Sequence, residues 1–466
     1  MILDINKKDP ASLAVIDDSG DKLTYGELTS HLDALKSVLP ERELVFCLCE
    51  NKVGALVGFL SLYDNKDVCL LLSAHIDRGL LDTLYNTYQP SYIWMPNENV
   101  NQFNYPTVYS TLGFSLCKTG NKAPRMHSEL SMLMTTSGTT GSPKLVRHKY
   151  GNIESNAKNV ASVFSWTTED RGIIDLPMQY TMGLNVITSH LYAGATVLLV
   201  AANLLSPLYW KFVKEYQGTN FTGVPYSYEI LRKLRFQRMD MPYLHTLAEG
   251  GGKLSDVQFS AFANYAEDKG KRFFATFGTT ETSARLAYLP PKDATTHIGS
   301  IGMAIPEGKL SLVDENGQEI VTTDTEGELK YEGPNVTMGY GTCMEDLLKG
   351  DEFCGTYFTG DIAKMDSDGY FYIVGRKKRF LKLFGLRVSL DQCEKIIKDS
   401  LNIECVCTGD DQQMRVYITD ESLKDDVKKL IAEKIGLIIK CFEVNVIEEI
   451  PRFESGKIDY KADVLS

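Results

Sequence analysis

The sequence predicts an α/β protein: a large N-terminal domain of stacked α/β sheets with a β-rich subdomain, followed by a small α+β C-terminal domain. Three observations carry that prediction. Apolar strand patterns alternate with amphipathic helix patterns through the middle of the chain. The grammar changes near residue 299 to short strands and turns. A basic knot, Arg376-Lys377-Lys378-Arg379, then precedes a further strand and helix stretch. Strand–helix alternation builds a parallel sheet covered by helices.

The first ~130 residues are the noisier part, with a strand expected at 44–49 and a helix at 53–62. The apolar run 130–134 reads as a buried strand that ends in a polar loop, 135–144. Strands are then expected at 172–178, 196–201, 220–224, 245–248 and 272–277. Between them helices are expected at 182–192, 204–217, 226–234 and 255–268. In the β-rich part, 309–314 and 326–332 read as strands, and 357–375 as a hairpin turning at Asp366-Ser367-Asp368-Gly369. After the basic knot come a strand at 380–384 and a helix from Ser389, whose side chain and Gln392 fit a capping box. Strands at 404–408, 415–419 and 443–447 and a helix at 423–434 complete the chain. The domains are therefore expected at 1–377, with the β-rich part at about 299–374, and at 379–466.

Composition excludes several classes. Of 466 residues, 43% are hydrophobic and 24% charged, an ordinary globular mix. Net charge is −12, which disfavours a general nucleic-acid or membrane-surface binder. Ten Cys without a C-x-x-C pair and seven scattered His fit neither a zinc site nor a disulfide framework; buried reduced thiols are expected instead. Cys47 and Cys49, and Cys405 and Cys407, would share a strand face. Residues 1–10 are polar and charged, and no apolar stretch reaches the ~20 residues of a membrane span, so a cytoplasmic protein without a membrane span is expected.

The most informative stretch is Thr135-Thr136-Ser137-Gly138-Thr139-Thr140-Gly141-Ser142-Pro143-Lys144. Backbone N–H groups and hydroxyls in such a loop can wrap phosphate oxygens, with Lys144 adding a positive charge. Its spacing is not that of a Walker A loop. Alone it could equally be a polar surface loop. Phe277-Gly278-Thr279-Thr280-Glu281 ends a predicted strand and offers a ring, a hydroxyl and a carboxylate that can hold magnesium. Tyr357-Phe358-Thr359-Gly360-Asp361 places an acid that could accept from two neighbouring hydroxyls. Gly375-Arg376 and the loop Pro451-Arg452-Phe453-Glu454-Ser455-Gly456-Lys457 add two cations. Taken alone, the Phe277 motif reads as well as a strand-end turn with a solvated Glu, the Tyr357 motif better as a capped β-turn, Arg376 also as an exposed linker, and Lys457 better as a solvated side chain near the chain end.

Together, in this order, they resemble the AMP-forming adenylating superfamily of acyl- and aryl-CoA synthetases, nonribosomal adenylation domains and luciferases. The resemblance spans roughly 20–460. It includes Leu23-Thr24-Tyr25-Gly26-Glu27-Leu28, Gly299-Ser300-Ile301-Gly302, Gly327-Glu328-Leu329, Gly333-Pro334 and Gly339-Tyr340. It implies ATP and Mg2+ as cofactors, with Thr136, Ser137, Gly138, Thr139, Thr140, Gly141 and Lys144 on the β- and γ-phosphates. Thr280 would touch the α-phosphate beside Gly278 and Thr279, Glu281 would bind the metal, and Phe277 would lie along adenine. Asp361 would take the ribose hydroxyls, with Arg376 and Arg387 on ribose or phosphate. Gly250, Gly251 and Gly252 would border both adenine and the acid pocket, and Lys457 would bridge the acid carboxylate and AMP.

The resemblance also implies that the C-terminal domain is mobile. It would turn at a hinge, Lys378, between adenylation and transfer to a thiol, with Gly385 lining the thiol tunnel. The acceptor would be CoA or the phosphopantetheine of a separate acyl carrier protein. The acid pocket would involve Tyr180, Gly183 and Pro225. Its stretches 180–185, 225–228 and 250–252 look mostly uncharged, which favours a fatty or aryl acid over a diacid or amino acid. The chain departs from the family pattern at Leu145, where Gly is frequent, and at Tyr180, where many acyl-CoA synthetases carry His. Phe384 and Leu386 stand where Ser and His flank the tunnel glycine. These last two keep a non-thiol acceptor open; a non-catalytic nucleotide-binding homologue is the other alternative.

Overall fold

The computed structural model describes residues 1–39, 42–135, 144–377, 379–383, 386–410, 412–453 and 456–465. Among them, two large sheets enclose a layer of helices. The first sheet runs, edge to edge, Met303–Ala304, Ala284–Leu289, Arg272–Thr279, Thr246–Glu249, Asn220–Gly223, Arg171–Ile174, Thr196–Leu199, Leu13–Asp17, Lys22–Thr24. Its six central strands pair in parallel. The second sheet runs Tyr340–Gly341, Leu145–Lys149, Leu130–Thr135, Val68–Ser73, Leu44–Cys49, Tyr92–Pro96, Phe114–Lys118, Thr107–Thr111. One hydrophobic cluster joins inward residues of both sheets (Val15, Val197, Cys47, Met132) to the helices between them.

Helix Val53–Asp64 shows why the first part of the chain is hard to read. It is buried at every position but its last, so it carries no polar face and no helical period. Strand Leu44–Cys49 is likewise buried on both faces and does not alternate. Further on, the alternating strands and helices form as expected, with two boundaries moved by proline. The strand expected at 172–178 is Arg171–Ile174, because Asp175-Leu176-Pro177 leaves the ladder. The helix expected from 204 starts at Pro207, whose missing N–H costs nothing in a first turn; Ser206 caps it by accepting from Leu208 N at 3.2 Å.

A five-stranded antiparallel sheet forms the β-rich part: Glu319–Ile320, Lys309–Val313, Gly327–Glu332, Thr356–Met365, Phe371–Arg376. The hairpin expected at 357–375 is its last pair. Beyond it, strands Phe380–Leu383 and Leu386–Ser389 pair antiparallel, and Cys405–Gly409, Met414–Ile418 and Phe442–Val446 form a small sheet. Helices Leu390–Leu401 and Lys424–Ile435 flank that sheet. A hydrophobic cluster from Leu381 to Val444 belongs to this part alone. Ser389 Oγ accepts from Gln392 N at 3.2 Å, one of the two bonds of the expected capping box. Cys47 and Cys49 enter one cluster and Cys405 and Cys407 another, each pair on one strand face. All ten cysteines are free thiols. Among the described residues no helix is long and apolar enough to cross a membrane.

Candidate active site

Loops at the carboxyl ends of the parallel strands, where open α/β sheets bind ligands, bring the sequence motifs together. Strand Arg272–Thr279 ends in a tight turn, Thr280–Thr282. Gly278 is required there by packing: a Cβ on it would lie 1.6 Å from the Ala284 carbonyl oxygen. The ladder shifts register at this point, and Ser283 and Ala284 have φ of 54° and 98°. Positive φ at a non-glycine residue costs energy that the surrounding structure must offset. The strained return holds Thr280 and Glu281 half-buried at the sheet edge. Phe277 is half-buried and packs on the core of the β-rich part.

Glu281 is held by two hydrogen bonds, and the tyrosine that makes one of them carries a cation on its ring. Thr337 N donates to its backbone oxygen at 2.9 Å. Tyr340 Oη donates to its Oε1 at 2.7 Å. The Lys144 ammonium lies 3.6 Å from the centre of the Tyr340 ring. One tyrosine thus carries the expected phosphate-end cation on its face and the expected metal carboxylate on its hydroxyl. Burial, with Glu281 beside it, pushes the Tyr340 phenol far above its ordinary range, so it stays a donor. One carboxylate with little protein around it suits Mg2+, which keeps waters and takes its other ligands from phosphates.

Across the cleft, Asp361 is 5% exposed, and burial pushes its carboxyl up to about 6 against the pull of Arg376. Arg376 Nε lies 3.3 Å from Asp361 Oδ1. The C-terminal part closes the site with a turn in which Gly456 N donates to Phe453 O at 2.8 Å and Phe453 N to Lys457 O at 2.9 Å. Lys457 Cε stands 3.4 Å from where a Gly251 side chain would begin. Burial and the charge of Arg376 push the Lys457 ammonium below its ordinary range, while Glu281 opposes them. Three contacts hold this part in place. Lys395 pairs with Asp256 at 2.7 Å and Lys398 with Glu229 at 3.3 Å. Arg452 lies over the Tyr226 ring at 4.7 Å.

The acid side converges on the glycine turn. Gly251 has φ of 75°, and Met182 Cε sits 2.8 Å and 3.2 Å from the Cβ positions of Gly250 and Gly251. Pro225, at the start of helix Pro225–Lys233, lies 3.0 Å from that of Gly252. Tyr180 immediately precedes helix Thr181–Ala193, and Gly183 lets that helix approach the Pro177 carbonyl, 2.4 Å from its Cβ position. Thr136, Ser137, Gly138, Thr139, Thr140, Gly141, Lys378 and Gly385 lie outside the described residues, as does the Arg387 side chain.

Sequence reasoning missed two groups at this site, Tyr340 and Arg285. Tyr340 was visible only as part of a family motif. Arg285 is a buried charge behind the stretches expected to be mostly uncharged: it lies on strand Ala284–Leu289 and donates to Asn185, which belongs to one of them. The signal was a lone Arg in the apolar run Ala284-Arg285-Leu286-Ala287.

Glu249, just before the glycine turn, is 6% exposed, and its Oε2 has no hydrogen-bond partner among the described residues. Burial pushes its carboxyl up to about 8 from 4.5, against Lys253. The folded state therefore holds this proton across a window where the unfolded chain releases it. The resulting stability is full below 4.5 and is lost as pH rises toward 8. Glu249→Gln is expected to raise the denaturation midpoint above pH 8, on the order of a few kcal/mol, with little gain at pH 4. Chemical denaturation at the two pH values checks this.

The AMP-binding enzyme family model matches residues 4–341. The chain is 28% identical over 350 residues to an oxalate–CoA ligase of Arabidopsis thaliana, covering 70% of this chain and 66% of the relative. It is 27% identical over 352 residues to a long-chain-fatty-acid–CoA ligase of Salmonella typhimurium, covering 71% and 60%. The matched segments thus span somewhat under two thirds of those relatives. Among solved structures, an O-succinylbenzoate coenzyme A synthetase from Bacillus subtilis, in complex with AMP, superposes with a TM-score of 0.80 at 19% identity, over 98% of this chain and 96% of that one. An anthranilate CoA ligase in complex with anthranoyl-AMP gives 0.81 at 18% identity, over 98% and 95%. These likenesses are of fold: a large N-terminal domain and a small C-terminal one.

Proposed function

We propose, from the premise that the chain belongs to the AMP-binding enzyme family, that it activates a carboxylic acid with ATP and passes the acyl group to the thiol of CoA. A carboxylate oxygen attacks the α-phosphorus, the bond to the bridging oxygen breaks, and pyrophosphate leaves. The thiol sulfur then attacks the acyl carbon, the bond to AMP breaks, and the thiol proton passes to solvent. The observation that carries this reading is Lys457, set against the Gly251 turn with Glu281 and Arg376 registering on its charge.

A carboxylate is a weak nucleophile, so positioning and charge neutralisation must supply the rate. Lys457 supports the reading as the group that holds the acid and offsets charge on phosphorus. Asp361 would accept from the ribose hydroxyls, and Arg376, beside it, would follow the sugar. Lys144 would offset the leaving pyrophosphate. Mg2+, held by Glu281 with the phosphates, would supply further charge neutralisation. For the second step the C-terminal domain would turn about Lys378 and withdraw Lys457. A carrier-protein phosphopantetheine is the second acceptor to test, and a non-thiol acceptor the third. The acids named for the relatives, from oxalate to long-chain fatty acids, differ too widely to choose this chain's substrate.

ATP–pyrophosphate exchange across a panel of acids tests the first step. Mass spectrometry of products with CoA, holo-carrier protein or an amine tests the second. Exchange with an acid followed by an acyl-CoA mass is expected; no exchange with any acid defeats the reading.

A further inference from the structure

Behind the glycine turn lies a buried cation that has no counter-charge among the described residues. Arg285 is 2% exposed. Its guanidinium donates to Asn185 Oδ1 at 2.6 Å, to Thr222 Oγ1 at 3.3 Å and weakly to Thr276 Oγ1 at 3.5 Å. Its Cζ lies 4.9 Å from the centre of the Phe164 ring. All four partners are neutral, and among the described residues no carboxylate forms an ion pair with it. Burial alone lowers it to about 10, with no acid opposing the shift. At neutral pH it remains charged. A charge removed from water among neutral acceptors is costly unless an anion joins it.

Its place in the fold says where the anion would come from. Asn185 sits on helix Thr181–Ala193, whose first turn carries Met182 to the glycine turn. Thr276 Oγ1 lies 2.6 Å from the Cβ position of Gly250, and Lys457 Cε 3.4 Å from that of Gly251. Arg285 thus meets the glycine turn only through Thr276, while Lys457 borders it directly. The chain of contacts from one cation to the other, through two adjacent Cα atoms ~3.8 Å apart, bounds their separation at roughly 18 Å. A short acid with an ion pair at each end fits within that bound.

We propose that Arg285 receives a second carboxylate, so that the substrate is a dicarboxylic acid whose near end reacts at Lys457 and whose far end is held by Arg285. The inference rests on the acid-activating reading above and names the substrate class of that site. Asn185 and Thr222 orient the guanidinium, whose planar fork matches a carboxylate. Asn185 is itself held, donating to Asn156 Oδ1 at 2.6 Å. An aryl core between the two carboxylates is compatible with the neutral walls. A plain fatty acid would leave the guanidinium without its anion.

The test is ATP–pyrophosphate exchange with matched pairs of acids, aliphatic and aryl, each a dicarboxylic acid and its half-amide. The wild type is expected to favour the diacid by ~10² or more in kcat/KM. Arg285→Gln should lose that preference, mainly through a higher KM for the diacid, while Arg285→Lys keeps part of it. Thermal melts and exchange with the half-amides report whether the variants fold; if they do not, the wild-type ratio alone decides. Exchange with half-amides equal to that with diacids overturns the proposal, as does an unchanged ratio in Arg285→Gln. Exchange with no acid at all defeats the acid-activating reading instead.

Discussion

Replacing Lys457 with Ala is expected to cut ATP–pyrophosphate exchange by roughly 10²–10³, the cost of losing one charge-stabilising group at a transition state. The loss should fall mainly on kcat, because the charge Lys457 offsets grows as the phosphorus becomes pentavalent. Stability should change little, since the side chain closes over the Gly251 turn and belongs to none of the hydrophobic clusters. The variant should still convert a supplied acyl-adenylate and CoA to the thioester at near wild-type rate, because the proposed transfer step excludes Lys457. Equal losses in both half-reactions would show that Lys457 holds the domain in place instead of acting on the acid.

Glu281→Gln should lower exchange by about 10² and raise the Mg2+ concentration needed for half-maximal rate. The substitution keeps an oxygen that can accept from Tyr340 Oη, the bond seen at 2.7 Å, so the turn stays where it is. Tyr340→Phe separates holding the carboxylate from binding the metal. It removes the hydroxyl but leaves a ring face for Lys144, now at 3.6 Å. A charge-assisted hydrogen bond contributes about 1.5–3 kcal/mol, so a loss between roughly 10- and 150-fold is expected from Tyr340→Phe. If Glu281→Gln leaves the Mg2+ dependence unchanged, another group holds the metal.

The parts of the fold legible in the sequence were those with a visible period. From strand Arg171–Ile174 to strand Arg272–Thr279 the strands and helices alternate, and helices Pro207–Glu215, Pro225–Lys233 and Asp256–Asp268 each keep an exposed side, although Thr181–Ala193 is buried from Gly183 to Leu191. Helix Val53–Asp64 and strand Leu44–Cys49, buried all round, carry no such pattern, and local reading dims there. The motifs singled out Glu281, Asp361, Arg376 and Lys457 because each lies in a short segment of distinctive composition, Asp361 and Arg376 on strands and Glu281 and Lys457 in turns. Arg285 and Tyr340 act through partners 100 and 59 residues away. Only the packing of separate elements makes those pairs, and no local window contains them.

Lys395 and Lys398 stand one turn apart on helix Leu390–Leu401 and reach acids on two different helices of the larger domain. Any rotation of the C-terminal domain must open both bridges. Partly exposed pairs of this kind contribute about 0.2–1 kcal/mol each. Two of them would bias the closed arrangement by a factor of about two to about thirty. A bias of that size would be weak enough for substrates to reverse, if the proposed rotation accompanies each turnover. Being electrostatic and near the surface, it also fades with ionic strength. In such a molecule the balance between making the adenylate and using it would be set partly by dissolved salt.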